Sequence, residues 1–383
     1  MSISTRQRLM TVPYYEPTLA GNERKYLEEV LTAKQLAGDG KFTKACHALL
    51  EEKTGAARAL LTHSGTGALD MIGILLGIAP GDEVIMPSYT FVSTANAIAL
   101  RGGVPVFVDI RRDTLNIDET LIEQAITPRT RAIMPVHYAG IGCEMDAIMA
   151  LSAKHGLAVA EDAAQGFGAS YRGKPLGTFG ALSALSFHAS KNVTAGEGGA
   201  LLVNDPGLRL RAEIVREKGT NRSQFFRGEV DKYTWVDLGS SFLPSEITAA
   251  LLLAQLEEAD RINRARVEFW GRYHEALKFL ETRGLARRAD VPQHCAHNGH
   301  IYWLVFETGE LRAKARDLLV EKGIMASAHY APLHNSPAGL RLGRAGSGME
   351  VALHVGDGLL RMPLYAHMPD ETIERAADAL KAL

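Results

Sequence analysis

Through its first half the chain alternates short apolar runs with stretches of helical spacing. Strands are expected at residues 59–62, 83–86, 105–109, 131–136, 157–160, 182–187 and 200–203, where polar residues are few. Helices are expected at residues 23–32, 42–53 and 68–78, where apolar positions recur every three or four residues. Alternation of this kind predicts an α/β fold with a mostly parallel sheet covered on both faces. A ligand then belongs at the carboxyl ends of the strands. Residues 1–12 read as a flexible arm, and Gly38-Asp-Gly40 as a turn.

From Pro244 the pattern changes. A long helical stretch with few breakers and many charges runs to about Leu280 and reads as a bridge. Beyond it come a strand at 300–306, a helix at 311–322, a strand near Met325 and a closing helix from Glu371, which together make a smaller α+β unit. A chain of 383 residues fits two domains. The division is placed at residue 250: 1–250 for the arm and the large, ligand-binding domain, 251–383 for the small one.

Composition narrows the possible partners. A formal net charge of -2, with 22% charged and 46% hydrophobic residues, gives no electrostatic case for nucleic acid or an anionic membrane. Cys46, Cys143 and Cys295 are far apart and odd in number, so a reducing cytoplasm is expected rather than a disulfide framework. Neither a signal-peptide core nor an apolar run of membrane-spanning length is evident. His294, Cys295, His297 and His300 match no common zinc spacing, and no metal is expected.

The candidate chemistry gathers between residues 161 and 204. One apolar run ends on Glu161 and Asp162; another leads into Lys191, followed by the glycine-rich Gly196-Glu-Gly-Gly199. At the ends of parallel strands such an acid and lysine can converge. Together they suit pyridoxal phosphate: a lysine to bond its aldehyde, an acid to keep its ring nitrogen protonated. Asp162 could instead cap a following helix. Glu161, facing the other way by strand alternation, is expected to be structural. Upstream, His63-Ser-Gly65-Thr66-Gly67 forms a strand–turn–helix junction that can hold a phosphate on free amides and the Thr66 hydroxyl. Asp70 stands where a dinucleotide fingerprint needs glycine, so on its own this stretch is an ordinary tight turn.

Ser186-Phe-His-Ala-Ser-Lys191-Asn192, Glu161-Asp162-Ala-Ala-Gln165 and Pro87-Ser-Tyr-Thr-Phe91-Val-Ser-Thr94 together resemble the DegT/DnrJ/EryC1/StrS family of sugar aminotransferases. The likeness runs from Pro13-Tyr-Tyr-Glu-Pro17 to Met362-Pro-Leu-Tyr365. It implies the aspartate-aminotransferase type of fold (fold type I), pyridoxal 5'-phosphate as cofactor and Lys191 as the catalytic residue. The cofactor-binding residues it implies are Asp162 at the ring nitrogen, Phe91 stacked on the ring and Gln165 near the phenolic oxygen, with Gly65, Thr66 and Ser186 at the phosphate. Many members carry an asparagine that reaches the partner subunit's cofactor phosphate; here Gly239-Ser-Ser241-Phe242 puts Ser241 there, with a shorter reach. A homodimer is implied all the same. His329 falls in a segment the family places over the site and is a possible substrate contact.

Within the family, Arg216-Glu-Lys-Gly-Thr-Asn-Arg222-Ser-Gln-Phe-Phe-Arg227-Gly228 and Lys232-Tyr-Thr-Trp235 are similar to enzymes that aminate the 4-position of dTDP-linked 6-deoxy sugars. Arg222 and Arg227 are expected to contact the substrate's diphosphate, since guanidinium pairs bidentately with phosphate. The reaction implied moves an amino group from glutamate to the 4-keto carbon of a dTDP-4-keto-6-deoxyhexose. A GDP- or UDP-linked acceptor, or a 3-keto one, would leave the cofactor motifs unchanged. The family's dehydratases carry histidine in place of Lys191, and a pyridoxal-phosphate-binding regulator would need no acid–base pair.

Overall fold

The computed structural model describes residues 11–383. Most of the arm expected at residues 1–12 therefore lies outside the described residues. Val12 is held: it is buried and makes a parallel bridge with Ile324. In chain order the strands are β1 (Arg58–Thr62), β2 (Glu83–Pro87), β3 (Val104–Val108), β4 (Thr130–Ile133) and β5 (Ala158–Asp162). Then come β6 (Ser170–Tyr171), β7 (Lys174–Pro175), β8 (Leu182–Ser186), β9 (Gly199–Val203) and β10 (Ala286–Arg288). The last are β11 (Cys295–Ala296), β12 (Tyr302–Phe306), β13 (Arg344–Ala345) and β14 (Leu359–Met362).

Eight of these form one sheet, in the order β1-β9-β8-β5-β4-β2-β3-β13. All pairings from β8 to β13 are parallel; β9 alone runs against its neighbours β8 and β1. Every residue of β2 and β9 is buried, which is why these strands read as near-continuous apolar runs. Successive side chains serve opposite layers. Val84 and Met86 pack with Leu69 and Ile72 of the Gly65–Leu75 helix, whereas Ile85 packs with Ile148 of the Met145–His155 helix.

The C-terminal part builds a smaller antiparallel sheet, β10-β12-β14. Trp303, Phe306 and Leu360 pack there with Tyr273, Leu319 and Leu380 from three flanking helices. The expected bridge is three successive helices, Glu246–Glu257, Ala259–Ala276 and Lys278–Thr282. The strand expected near Met325 is reduced to two isolated bridges, Val12 with Ile324 and Ser327 with Arg361.

Residue 250 remains our proposal for the domain division, with strand pairings across it: β11 of the C-terminal part pairs with β6. β13 leaves the small part and joins the edge of the large sheet beside β3. The buried Glu83 carboxylate accepts from Arg344 Nη2 at 2.6 Å, Arg129 Nη2 at 2.8 Å and Thr127 Oγ1 at 2.8 Å. Asp109, just after β3, accepts from the amides of Val351 and Ala352, the first turn of the Glu350–Gly358 helix.

Hydrogen bonds from Arg344 above all, then from Arg129 and Thr127, hold the Glu83 carboxyl down at about 2. A folded value below the ordinary glutamate value of ~4.3 stabilises the protein above that pH and ceases to as pH falls toward the folded value. Glu83→Gln is expected to lower the unfolding free energy by about 3 kcal/mol at neutral pH, because two arginines lose a buried partner. Denaturant unfolding should show this deficit shrinking once the pH falls below about 4.3.

Candidate active site

Where β5 ends, its backbone is fixed on both sides: Asp162 N donates to Pro135 O at 2.9 Å, and His137 N donates to Asp162 O at 3.1 Å. Alternation then separates the two acids. Glu161 is fully buried and accepts from the amides of Gly177, Phe179 and Gly180, with His137 Nε2 3.0 Å away, so it organises a loop. Asp162 faces a cavity of about 410 Å³. Thr94 Oγ1 donates to its Oδ2 at 2.7 Å and Ala164 N to its Oδ1 at 3.1 Å. Residues 164–168 are turns, so there is no helix for Asp162 to cap.

Lys191 lies on the hairpin between β8 and β9, closed by Phe187 N to Gly198 O and Ala189 N to Gly196 O. Its side chain reaches the same cavity. Loss of water around the amine lowers its pKa to about 8; the Asp162 carboxylate opposes this and the Arg361 guanidinium reinforces it. Near neutral pH a usable fraction of the amine is therefore unprotonated.

The glycine-rich stretch has a steric reason. Gly199 pairs with both Thr62 and Ser186, and a Cβ there would stand 2.4 Å from Gly65 N. A Cβ on Gly65 would meet Ser186 Cβ at 2.8 Å. Absence of both side chains brings the start of the Gly65–Leu75 helix against Ser186. The first-turn amides of Gly65 and Thr66 lie outside the helix ladder, and Ser64 Oγ caps the helix by accepting from Gly67 N. Thr66 Oγ1 is 2.8 Å from Ser93 Oγ.

The cavity thus joins Gly65, Thr66, Phe91, Asp162, Gln165, Ser186, Lys191 and His329. Phe91 is 55% exposed, so its ring is free to face a ligand rather than filling the core. Gln165 is tied at both ends, accepting from Ala139 N at 2.6 Å and donating to Tyr330 OH at 3.2 Å. His329 Nδ1 is 3.0 Å from Tyr138 OH, and burial holds the imidazole neutral, helped by the charges of Arg361 and Lys191. The donor set suits pyridoxal phosphate: an amine for the aldehyde, a carboxylate for the ring nitrogen, and amides with a hydroxyl for the phosphate.

Three expected residues stand elsewhere. Ser241 is exposed and bridges Glu217. Arg222 pairs with Glu217 at 2.9 Å, and Arg227 with Glu213 at 2.7 Å and Glu229 at 2.6 Å. Within one chain none of the three lines the cavity. Sequence reasoning also left Tyr14, Thr94, His188 and Arg361 without a role, although Tyr14, His188 and Arg361 line the cavity and Thr94 supports Asp162. Arg361 carried a signal: it is the charged residue in an otherwise apolar strand, Leu359-Leu-Arg361-Met362.

His294, His297 and His300 have separate partners: Glu144, the Trp270 ring and Asn192. Among the described residues no cluster of three or more histidine, cysteine or acidic side chains is placed to hold a metal. No described helix is long and apolar enough to cross a membrane.

The chain is 33% identical over 369 residues to GDP-perosamine synthase of Caulobacter vibrioides, covering 95% of this chain and 96% of that protein. It is likewise 33% identical over 381 residues to the spore coat polysaccharide biosynthesis protein SpsC of Bacillus subtilis, covering 97% and 96%. Among solved structures, the aminotransferase TlmJ of Streptoalloteichus hindustanus superposes with a TM-score of 0.89 at 28% identity, over 97% of this chain and 98% of that one. The model of the DegT/DnrJ/EryC1/StrS aminotransferase family matches residues 17–381. With the fold-type-I sheet and a cavity that suits pyridoxal phosphate, the chain belongs to the DegT/DnrJ/EryC1/StrS family and is a pyridoxal-phosphate-dependent sugar aminotransferase.

Proposed function

We propose that this enzyme moves the amino group of glutamate to the 4-keto carbon of a dTDP-4-keto-6-deoxyhexose, giving a dTDP-4-amino-4,6-dideoxyhexose. The observation that carries amino transfer is the meeting of Lys191 and Asp162 in one cavity. Residues 216–235 carry the choice of nucleotide and keto position, through their likeness to enzymes of that specificity.

When bound, pyridoxal phosphate supplies an aldehyde that accepts amines and a ring that withdraws electrons. Lys191 anchors it and, as a free amine, takes the proton from the donor's α-carbon and delivers one to the sugar's C4 in the second half of the cycle. Asp162 holds positive charge at the ring nitrogen, its orientation fixed by Thr94 and the Ala164 amide. Gly65, Thr66 and Ser186 would hold the phosphate, Phe91 the face of the ring, and Gln165 its oxygen.

The working unit in this reading is a homodimer. Phe226, Trp235 and Leu238 are 67%, 75% and 51% exposed beside Arg222, Arg227 and Ser241, an apolar surface that a second copy would cover. The partner's cavity would then receive Ser241 and the two arginines, which must exchange carboxylates for the sugar's diphosphate.

The name of the Caulobacter relative favours a second reading, a GDP-linked acceptor. Incubating the enzyme with glutamate and matched dTDP- and GDP-linked 4-keto sugars decides between them. We expect kcat/KM at least tenfold higher for the dTDP sugar, equivalent to ~1.4 kcal/mol. The reverse order overturns the nucleotide assignment and leaves amino transfer standing.

A further inference from the structure

Besides the large cavity, Lys191 lines a small one of about 10 Å³, shared with Gln165, Ser186, Asn192, Asn298 and His300. His300 stands just before β12 and is 3% exposed. Its backbone is fixed twice: N donates to Asn298 Oδ1 at 3.0 Å, and O accepts from Arg266 Nη2 at 2.8 Å. Asn298 is fixed in turn, donating from Nδ2 to Gln165 O at 2.8 Å and to Phe167 O at 2.9 Å. Lys191 and His300 therefore meet at this cavity from different parts of the chain, one on the β8–β9 hairpin and the other at the head of β12.

The hydrogen on the His300 ring is located by elimination. Asn192 Nδ2 lies 2.8 Å from Asn298 O and 2.8 Å from Asn263 Oδ1. A backbone carbonyl only accepts, so this atom is the amide nitrogen, and both its hydrogens are used. Asn192 Oδ1, 2.9 Å from His300 Nδ1, has only lone pairs to offer, so Nδ1 carries the hydrogen. Burial keeps the ring neutral, its pKa well below the usual histidine range, and the charges of Lys191, Arg361 and Arg266 reinforce this beside the neutral His329. Lys191 acts on it most strongly among those charges. In such a ring Nε2 is a lone pair. Among the described residues it makes no hydrogen bond, and Lys191 Nζ makes none either.

We propose that His300 is a positioning residue for Lys191: its Nε2 takes a hydrogen from the lysine amine through one water seated in the small cavity. A cavity of this size admits about one water, and its lining offers that water several polar partners. A bridge of this kind is nearly as good as a direct hydrogen bond. An amine that donates toward Nε2 keeps its own lone pair for the large cavity, where Asp162 and Phe91 stand. The acceptor also favours the charged ammonium, as Asp162 does, whereas burial and Arg361 favour the free amine. Their balance holds the amine near the pH at which it both takes and gives a proton. This inference rests on Lys191 as proton carrier in the proposed amino transfer and is independent of which nucleotide the acceptor carries.

Two amides separate the ring's two nitrogens. Asparagine places a nitrogen where Nδ1 sits, and glutamine reaches the place of Nε2. His300→Asn thus keeps the bond to Asn192 but lacks the acceptor toward Lys191, and His300→Gln does the reverse. In the unloaded full chain, amine-directed labelling of Lys191 should have its midpoint at about 8 in the wild type. The midpoint should fall by about one unit in His300→Asn, the worth of one hydrogen bond to the charged form, and stay close to wild type in His300→Gln. In the holoenzyme His300→Asn should slow the donor and sugar half-reactions alike, about tenfold. The KM for glutamate should stay within about threefold, and His300→Gln should recover most of the rate. A wild-type midpoint in His300→Asn overturns the proposal. So does a His300→Asn enzyme faster than His300→Gln, the order that a purely structural bond to Asn192 gives. If His300→Asn does not fold, ¹⁵N-histidine NMR of the unloaded wild type decides. The Nε2 resonance of His300 should follow a titration at about 8 that is absent from Lys191→Ala. A resonance that ignores the ionisation of Lys191 overturns the assignment. An enzyme that labels as expected but transfers no amino group would refute the function proposed above and leave the link between His300 and Lys191 standing.

Discussion

Lys191→Ala is expected to fold, to bind pyridoxal phosphate weakly and to lose turnover by about 10⁴-fold or more, near ~5.5 kcal/mol of barrier. In the proposed mechanism one side chain performs two tasks. It anchors the aldehyde, and as a free amine it carries the proton in both halves of the cycle. Among the described residues no second amine lines the cavity to replace it. Lys191→Arg should fare no better, since guanidinium cannot anchor the aldehyde and hardly deprotonates. The lowered pKa gives a check on the unloaded protein. With the amine titrating at about 8 rather than 10.5, labelling of Lys191 by an amine-directed reagent should rise with pH through a midpoint at about 8. Near-normal turnover in the purified alanine variant would sink the role given to Lys191. So would a labelling midpoint at the ordinary lysine value.

The second large effect is expected at Asp162. Asp162→Asn keeps the shape, and its side-chain oxygen can still accept from Thr94, so the fold and the cavity should survive. The negative charge at the ring nitrogen is lost, and with it the means of keeping that nitrogen protonated. Removing a preorganised electrostatic partner of this kind costs about 3–4 kcal/mol, or roughly 10²–10³ in rate. Single-turnover measurements of the donor half-reaction give the value. A loss below about tenfold, ~1.4 kcal/mol, would reduce Asp162 to a turn-forming residue that bonds the Ala164 amide.

The parts of this site that the sequence makes legible are those carried by strand ends. Parallel strands buried on both faces leave apolar runs, and the residues just beyond them, Asp162, Ser186 and the turn at Gly65, fall at one sheet edge by topology alone. The far wall is different. Tyr14 and Arg361 come from opposite ends of the chain and meet only through tertiary packing, which no local periodicity records. β13 is two residues long and lies where no apolar run marks it; its register is secured by Arg344 forking onto Glu83. Arg222 and Arg227 teach the reverse lesson. Their partners Glu213, Glu217 and Glu229 lie in the same stretch of sequence and compete with any anionic ligand for the guanidinium groups.

The central claim is transfer of nitrogen from an amino acid to C4 of a nucleotide-linked sugar, and ¹⁵N-glutamate tests it most directly. Purified enzyme loaded with pyridoxal phosphate is incubated with labelled glutamate and dTDP-4-keto-6-deoxyglucose, and the sugar product is examined by NMR. We predict ¹⁵N bonded to C4, with one 2-oxoglutarate formed for each amino sugar. Label at C3, or 2-oxoglutarate formed without any ¹⁵N in the sugar, would contradict it.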